Sequence, residues 1–458
     1  MSDYLISQEG LEAVEMATGC WNACDDFRRQ RARNKDYTFG RQWGDRIFVD
    51  GAEMTEFDYI RREGGIPFTN NLIRRVVRSV VGVSRSRVRE KLEARDEEGR
   101  RHDLDNRMEE LYARTMEEFL ISGMAVHKKS VAGGEVKTRA VSPGRFFHDP
   151  QARDSRGSDL TLLGEVHVMP AASFCATFAR DRDDYRRLRA VYGDGGMVRV
   201  FELWRRERRE RRLCHDRSRG RLLKVDEELW LRRPALRRMP SRWILDDVWR
   251  YCFVTSHGEI LRQGDSPYGC HPYVVKAYPF LDGEIHSYVG DIIDQQRYTN
   301  RLITMYDWVM RASAKGVLLF PEDALPEHTD MQMVMDEWSR FNGVITYRSK
   351  PGQPLPQQVS GNNSNLGIGE LLAIQLKMME DVSGVNGALQ GKLERGSVSG
   401  ELYNRQTENS LISLHDILMS YESFIDDAFT LESRLRRVRP NLSDPSPTWS
   451  ARPPGLRC

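Results

Sequence analysis

The sequence predicts an α+β protein with long helices in its C-terminal third and strands concentrated in its middle. Two patterns point there. Residues 288–313, 368–382 and 401–437 place apolar residues at helical spacing. Between 125 and 279 the pattern changes to β-branched and aromatic runs broken by glycine and proline. The long helices are separated by an irregular stretch, 316–365, and a glycine-rich loop, 383–400, and none of them carries a catalytic constellation.

Taken in order, residues 8–34 read as one amphipathic helix, with Leu11, Val14, Trp21, Cys24 and Phe27 as its buried stripe. Residues 37–43 follow as a turn with aromatic anchors. Pro67 and the asparagines Asn70 and Asn71 mark a helix start. That helix should continue through Val76, Val77, Val80 and Val81, with Gly82 near its end. Residues 103–121 form a charged helix. Residues 125–140 form a hairpin turning at Gly133-Gly134. Strands are expected at 160–169, 196–204, 213–225, 247–262 and 272–279.

The arginine-rich run 205–212 reads either as a patch for nucleic acid or an acidic partner, or as a solvated strand-to-loop edge. Its interspersed glutamates favour the edge. Residues 232–242, with two prolines, read as an irregular exposed insertion.

The first long helix sets Ile292, Thr299, Leu302, Ile303, Tyr306, Val309 and Met310 on one stripe. Asp294, Arg297, Arg301, Asp307 and Arg311 lie on the other side. At 1.5 Å per residue it is about 35 Å long. After it come an expected strand and turn at 316–321, a short helix at 336–341 carrying Trp338, and a strand at 343–347. Residues 440–458, rich in Pro, Ser and Arg, are expected to be disordered.

Length and charge bound the function. The 458 residues allow two to four domains. With 69 Lys+Arg against 67 Asp+Glu, the net charge of +2 is low for a dedicated duplex-DNA clamp. No apolar run approaches a membrane span, and the N-terminus has no signal-peptide pattern. Seven scattered cysteines predict reduced thiols.

Chemical motifs are missing. The stretch 387–393 looks superficially like a phosphate loop, but its spacing is one residue short. Leu393 also stands where a Ser or Thr would hold magnesium. Asp246-Asp247 alone could start a two-metal site, with no further ligand at suitable spacing. His257 and His271, with Cys252 and Cys270, lack zinc spacing and suit ordinary strand and turn positions. Gly-x-Ser-x-Gly is absent, and Ser399 reads as the N-cap of the last long helix, with Glu401 in its first turn. No cofactor is predicted.

Several of these stretches, in this order, resemble the bacteriophage portal protein family. They are Tyr37 to Trp43; Thr69-Asn70-Asn71-Leu72-Ile73 with Val80-Val81-Gly82; Ile121 to Ala125 with the hairpin and Ser142-Pro143; Pro272-Tyr273 with Asp291 to Asn300; and Ser399 to Gln406.

The resemblance implies a portal-like fold with long stem and wing helices, a mixed β-rich wing and a small α/β clip. The wing is then 1–285 plus a long helix at 400–437, with the first stem helix at 286–313. The clip is 314–365, the second stem helix 366–382, the tunnel loop 383–399 and the tail 438–458. Many portals continue into a helical crown, for which the proline-rich tail shows no pattern.

The resemblance also implies a ring, usually of twelve copies, at one capsid vertex of the virion, assembled in the host cytoplasm. Its partners would be double-stranded DNA in the channel, the terminase large subunit, a head–tail adaptor, and coat and scaffold proteins. Portals are not ATPases. Lys392 and Arg395 are the candidates for phosphate contact, or are solvated loop charges. Arg297 and Arg301 would face the channel or pair with a neighbouring subunit. Trp338, Arg340, Phe341 and Tyr347 are clip candidates for partner binding, since aromatic and arginine side chains are common interface anchors. Trp338 equally suits the core of that small domain. The competing classes are a metal-dependent nucleic-acid-processing enzyme using Asp246 and Asp247, and another, shorter structural connector.

Overall fold

The computed structural model describes residues 7–438, apart from 194–195, 218–219, 316, 327, 340–343, 350–351, 353, 360–366, 388 and 391–410. It is an α+β chain in two compact units. One comprises Met1–Phe39, Asn71–Ile293 and Asp381–Cys458, and the other Gly40–Asn70 and Asp294–Glu380.

The first unit starts with two helices, α1 (Gln8–Ala23) and α2 (Asp25–Thr38), where one was expected. The break is Cys24, whose backbone (φ −89°, ψ 12°) leaves the helical region. The buried face of α1 is Gly10, Ala13 and Ala17, while Leu11 stays half exposed. Small residues win because the helix lies very close to a strand turn: a Cβ on Gly10 would sit 2.1 Å from the Gly258 carbonyl oxygen.

In the second unit β1 (Arg46–Val49) and β2 (Ala52–Thr55) form a hairpin. Its two-residue turn, Asp50-Gly51, takes the positive φ values that such turns require. It leads into α3 (Glu56–Arg62).

Back in the first unit, Asn71 caps α4 (Leu72–Glu93) by accepting from the Arg74 N–H at 3.1 Å. The helix runs straight past Gly82, eleven residues beyond the expected end, because its apolar stripe continues through Val88. The charged helix expected at 103–121 is instead α5 (Glu97–Asp105) and α6 (Met108–Ser122). Arg107, at φ +50°, turns the chain between them.

Strands β3 (Met124–Ala132) and β4 (Glu135–Ala140) form the expected hairpin, with Gly133 and Gly134 at positive φ. The remaining strands here are β5 (Phe146–His148), β6 (Leu162–Pro170), β7 (Met197–Asp216), β8 (Arg221–Asp226), β9 (Ser241–Thr255), β10 (Ile260–Asp265), β11 (Tyr273–Ala277) and the short pair β12 (Phe280–Leu281) and β13 (Glu284–Ile285). One antiparallel sheet has the order β10-β9-β7-β6-β5, with β8 added to the far end of β7; another has the order β11-β3-β4. Helices α7 (Ala171–Phe178) and α8 (Arg182–Tyr192) pack Phe174, Phe178 and Leu188 with Val200 and Phe253 of the larger sheet.

The arginine-rich run 205–212 lies inside the 20-residue strand β7, where a strand-to-loop edge was expected. Neighbouring carboxylates make this possible. Arg209 reaches Asp265 at 2.8 Å, Arg211 reaches Asp226 at 2.8 Å, and Arg212 reaches Glu227 at 2.8 Å. The expected insertion after β8 is two short helices, α9 (Glu227–Arg232) and α10 (Pro234–Arg237).

Helix α11 (Tyr288–Lys315) runs 28 residues, about 42 Å. In the second unit it is followed by β14 (Val317–Leu319) and α12 (Met331–Ser339). Residues 344–347, expected as a strand, have no assigned structure; β14 pairs instead with β15 (Gln357–Val359). Pairing partners are chosen in three dimensions, and local β-propensity did not reveal this one. Helix α13 (Ile368–Ser383) matches expectation. Of the long helix expected at 401–437, residues 401–410 lie outside the described residues, and α14 (His415–Val438) is its main described part. The expected disordered tail lies outside them too.

Candidate functional site

The second unit has a polar centre around Glu56. Thr55 caps α3, accepting from the Asp58 N–H at 3.1 Å, which places Glu56 in the first helical turn. Glu56 is buried to 4% exposure. Arg297 and Arg301, one helical turn apart on α11, both donate to its Oε1. Arg297 also lies 3.4 Å from Asp45. A buried carboxylate is costly unless paired, and two guanidiniums satisfy this one. The arginines differ in access: the Arg297 side chain is 25% exposed and that of Arg301 49%.

Next to it, buried amides tie α11 to residues 42–70. Asn300 donates to Gln42 Oε1 at 2.7 Å and accepts from the Asn70 N–H at 3.1 Å. Gln296 donates to the Asn70 carbonyl at 2.6 Å, and Trp43 donates through Nε1 to Thr69 at 3.0 Å. Three stretches that read as separate motifs in the sequence thus meet: Gln42-Trp43, Thr69-Asn70, and Gln296 with Asn300. Beside them is a cleft of about 270 Å³, lined by Trp43, Ile47, Tyr59, Ile60, Met305 and Trp308 among others.

Two buried ionic clusters in the first unit were not foreseen. In one, Glu432 of α14 is fully buried. It accepts from Arg95 at 2.7 Å, from Lys129 at 3.1 Å and from Arg436, with His102 Nδ1 at 3.2 Å. Burial pushes the Lys129 ammonium down to about 8 against the pull of Glu432. Burial opposes ionisation of Glu432 too, but Lys129, His102 and Arg95 hold its carboxyl below the usual range.

In the other, Glu202 accepts from Lys128 and from Trp204 Nε1 at 2.8 Å, with His167 Nε2 at 3.0 Å. Arg139 grips Glu165 through two bonds of 3.2 and 2.6 Å. Burial opposes ionisation of Glu202, yet Lys128 and His167 hold it far below the carboxylate range. The groups His102, Asp103, Glu432 and Glu165, His167, Glu202 each bring ligand atoms within 4.8 Å of one another. Each is already occupied by cationic side chains, so both act as ion-pair glue. The signal available in the sequence was Lys128-Lys129 in the middle of a strand whose two ends, Met124-Ala125-Val126 and Val131-Ala132, are apolar.

The model of the phage P22-like portal protein family matches residues 14–431. The chain belongs to that family. No curated protein matches it. Membership gives the chain a phage portal role, and the P22-like portal family is structural and generally non-enzymatic.

The portal residues singled out from sequence are placed as follows. Arg297 and Arg301 come together on Glu56. Lys392, Arg395, Arg340 and Phe341 lie outside the described residues. Trp338 is half-buried on α12, and Tyr347 is 45% exposed. Asp246 pairs with Arg211 at 3.2 Å and Lys224 at 2.5 Å, and Asp247 lies 3.5 Å from Arg208. Adjacent on strand β9, the two aspartates point to opposite faces and do not converge on one metal. His271 is packed edge-on against Trp249, and Cys252 and Cys270 are free thiols. No described helix is long and apolar enough to cross a membrane.

Proposed function

We propose that the chain assembles into a ring, of twelve copies by family resemblance, at one capsid vertex. Double-stranded DNA passes through this ring during packaging and ejection. The observation that carries the reading is the family match along 14–431, supported by two long helices, α11 and α13, of the kind a stem needs. In this reading 286–313 and 366–382 are the stem, and 314–365 is the clip on which the terminase large subunit and then a head–tail adaptor dock through Trp338, Arg340, Phe341 and Tyr347. Residues 383–399 are the tunnel loop, and 1–285 with 400–437 are the wing, which meets coat and scaffold proteins. Lys392 and Arg395 touch DNA phosphates, and the half-exposed guanidinium of Arg301 adds a weaker contact. The net charge of +2 suits sliding, because many strong phosphate pairs would hold the duplex in place.

Negative-stain imaging and native mass spectrometry of the purified chain should show closed rings with a central channel. A monomer that forms no ring at any concentration would overturn the reading. In assembled particles, Lys392→Ala with Arg395→Ala should cut DNA packaging severalfold while rings persist. Normal packaging would remove the loop from the DNA path.

A further inference from the structure

Beyond the sheet it shares with β5, β6 and β10, the larger sheet of the first unit extends an arm of three strands. β7 is the middle strand, β8 pairs with it over residues 211–216, and β9 pairs on its other side. Among the described strands β8 pairs only with β7, and β10 covers β9 only from Arg250 onward. The arm therefore has two open edges, 221–226 on one side and 241–248 on the other.

Neither edge strand contains a bulge or a proline, though both carry charged side chains of the kind that blunt an edge. Both expose large apolar side chains. Leu222 is 64% exposed and Leu223 38%; on the other edge Trp243 is 47% and Leu245 50% exposed. Their charges are opposite. Arg221 and Lys224 outweigh Asp226, while Asp246 and Asp247 outweigh Arg242.

We propose that these edges join to each other between neighbouring copies of this chain, 241–248 of one copy pairing with 221–226 of the next. The inference rests on the ring reading above and assigns it an interface. A contact between two different edges of the same arm is head-to-tail, the kind that closes a ring. Neighbours in a many-membered ring differ by a small rotation, so strand directions are nearly preserved. β8 and β9 both run antiparallel to β7, so across the contact they meet parallel.

The faces fix the register further. Arg211 bridges Asp226 and Asp246, and Lys224 reaches Asp246, so Leu222, Lys224 and Asp226 share a face with Ile244 and Asp246. Arg212 pairs with Glu227 and lies over the Trp230 ring on the opposite face, that of Leu223, Trp243 and Leu245. A sheet continued across the contact must match these faces. Of the registers that do so, the one that also sets opposite charges side by side places Leu222 beside Ile244, Leu223 beside Leu245, and Lys224 beside Asp246.

The test is a Leu222→Cys, Ile244→Cys double variant of the full chain. Within one chain these positions are two strands apart and offset along β7 from His215 to Arg211, more than roughly 10 Å, too far for a disulfide. Mild oxidation of rings should give a covalent ladder of multiples, which neither single variant gives. Rings without a ladder overturn the pairing and leave the ring standing; a chain that never forms rings overturns both. In the unmodified protein, amides of 221–226 and 241–248 should exchange at least tenfold more slowly in rings than in dissociated subunits. Equal exchange also overturns the pairing.

Discussion

Replacing Glu432 with alanine is expected to destabilise the unit that contains α14 by about 3–5 kcal/mol, the cost of stripping one partner from a buried ionic cluster. The glutamate is fully buried, and so is Lys129. Without it Arg95, Lys129 and His102 lose their shared carboxylate. Asp103 of α5, which pairs with Arg95, is the acid that remains in the cluster. The buried Lys129 ammonium then keeps only the Thr138 hydroxyl, at 3.1 Å, among its hydrogen-bond partners. Thermal melting should show the loss directly, and protease should cut α14 sooner than in the parent. A variant within about 1 kcal/mol of the parent would mean that α14 is held by its apolar face alone. That face is substantial, since Leu418, Tyr421, Phe424, Ile425 and Leu435 are all buried.

Acid should unfold the same unit through His127. Its ring is fully buried between Tyr112 and Phe424. Thr115 donates its hydroxyl to the Leu111 carbonyl, so His127 Nε2–H donates to Thr115 Oγ1 at 2.7 Å. Nδ1 has no hydrogen-bond partner among the described residues. Burial, with Lys129 nearby, pushes the imidazole down from 6.5 to about 3. The unfolded chain therefore binds a proton that the folded chain refuses. The stability this contributes is complete above pH 6.5 and is lost as pH falls towards 3. At pH 5 the loss is about 2 kcal/mol. Denaturation from pH 7 to 5 should show this slope, and His127→Phe should flatten it. An unchanged slope would assign the acid sensitivity elsewhere, for example to His271, which burial lowers to about 4.

The sequence was legible where one physical signal dominates a stretch. The α11 helix, the Gly133-Gly134 hairpin and the Asn71 cap each follow from local chemistry and lie where expected, and the expected α11 stripe is buried at Ile292, Thr299 and Leu302 but exposed at Tyr306 and Met310. Signals that depend on distant partners were not legible. The run 205–212 looked like a solvated edge because its compensating acids, Asp226, Asp246 and Asp265, come from three other strands. Leu11 outranked Ala13 on hydropathy, yet close approach to Gly258 selected the small residues. Arg297 and Arg301 stood out as exposed helix charges, while Glu56, some 240 residues earlier, gave no sign of being their partner. Three of the stretches that carry the family resemblance meet at Asn300, which bonds to Gln42 and to the Asn70 backbone, a convergence that no local pattern reveals.

The pairing of Lys129 with Glu432 spans 303 residues. Contacts of such separation make folding slow, because the loop entropy is spent before the contact forms. On a ribosome adding about 5–20 residues per second, β3 waits some 15–60 s for its acid to be made. During that interval the half-built unit leaves Lys129 on β3 without its carboxylate, although Glu202, the partner of Lys128, is already made. Only a chain translated as far as α14 can complete the unit, so prematurely terminated copies are excluded from it by thermodynamics, before any partner inspects them.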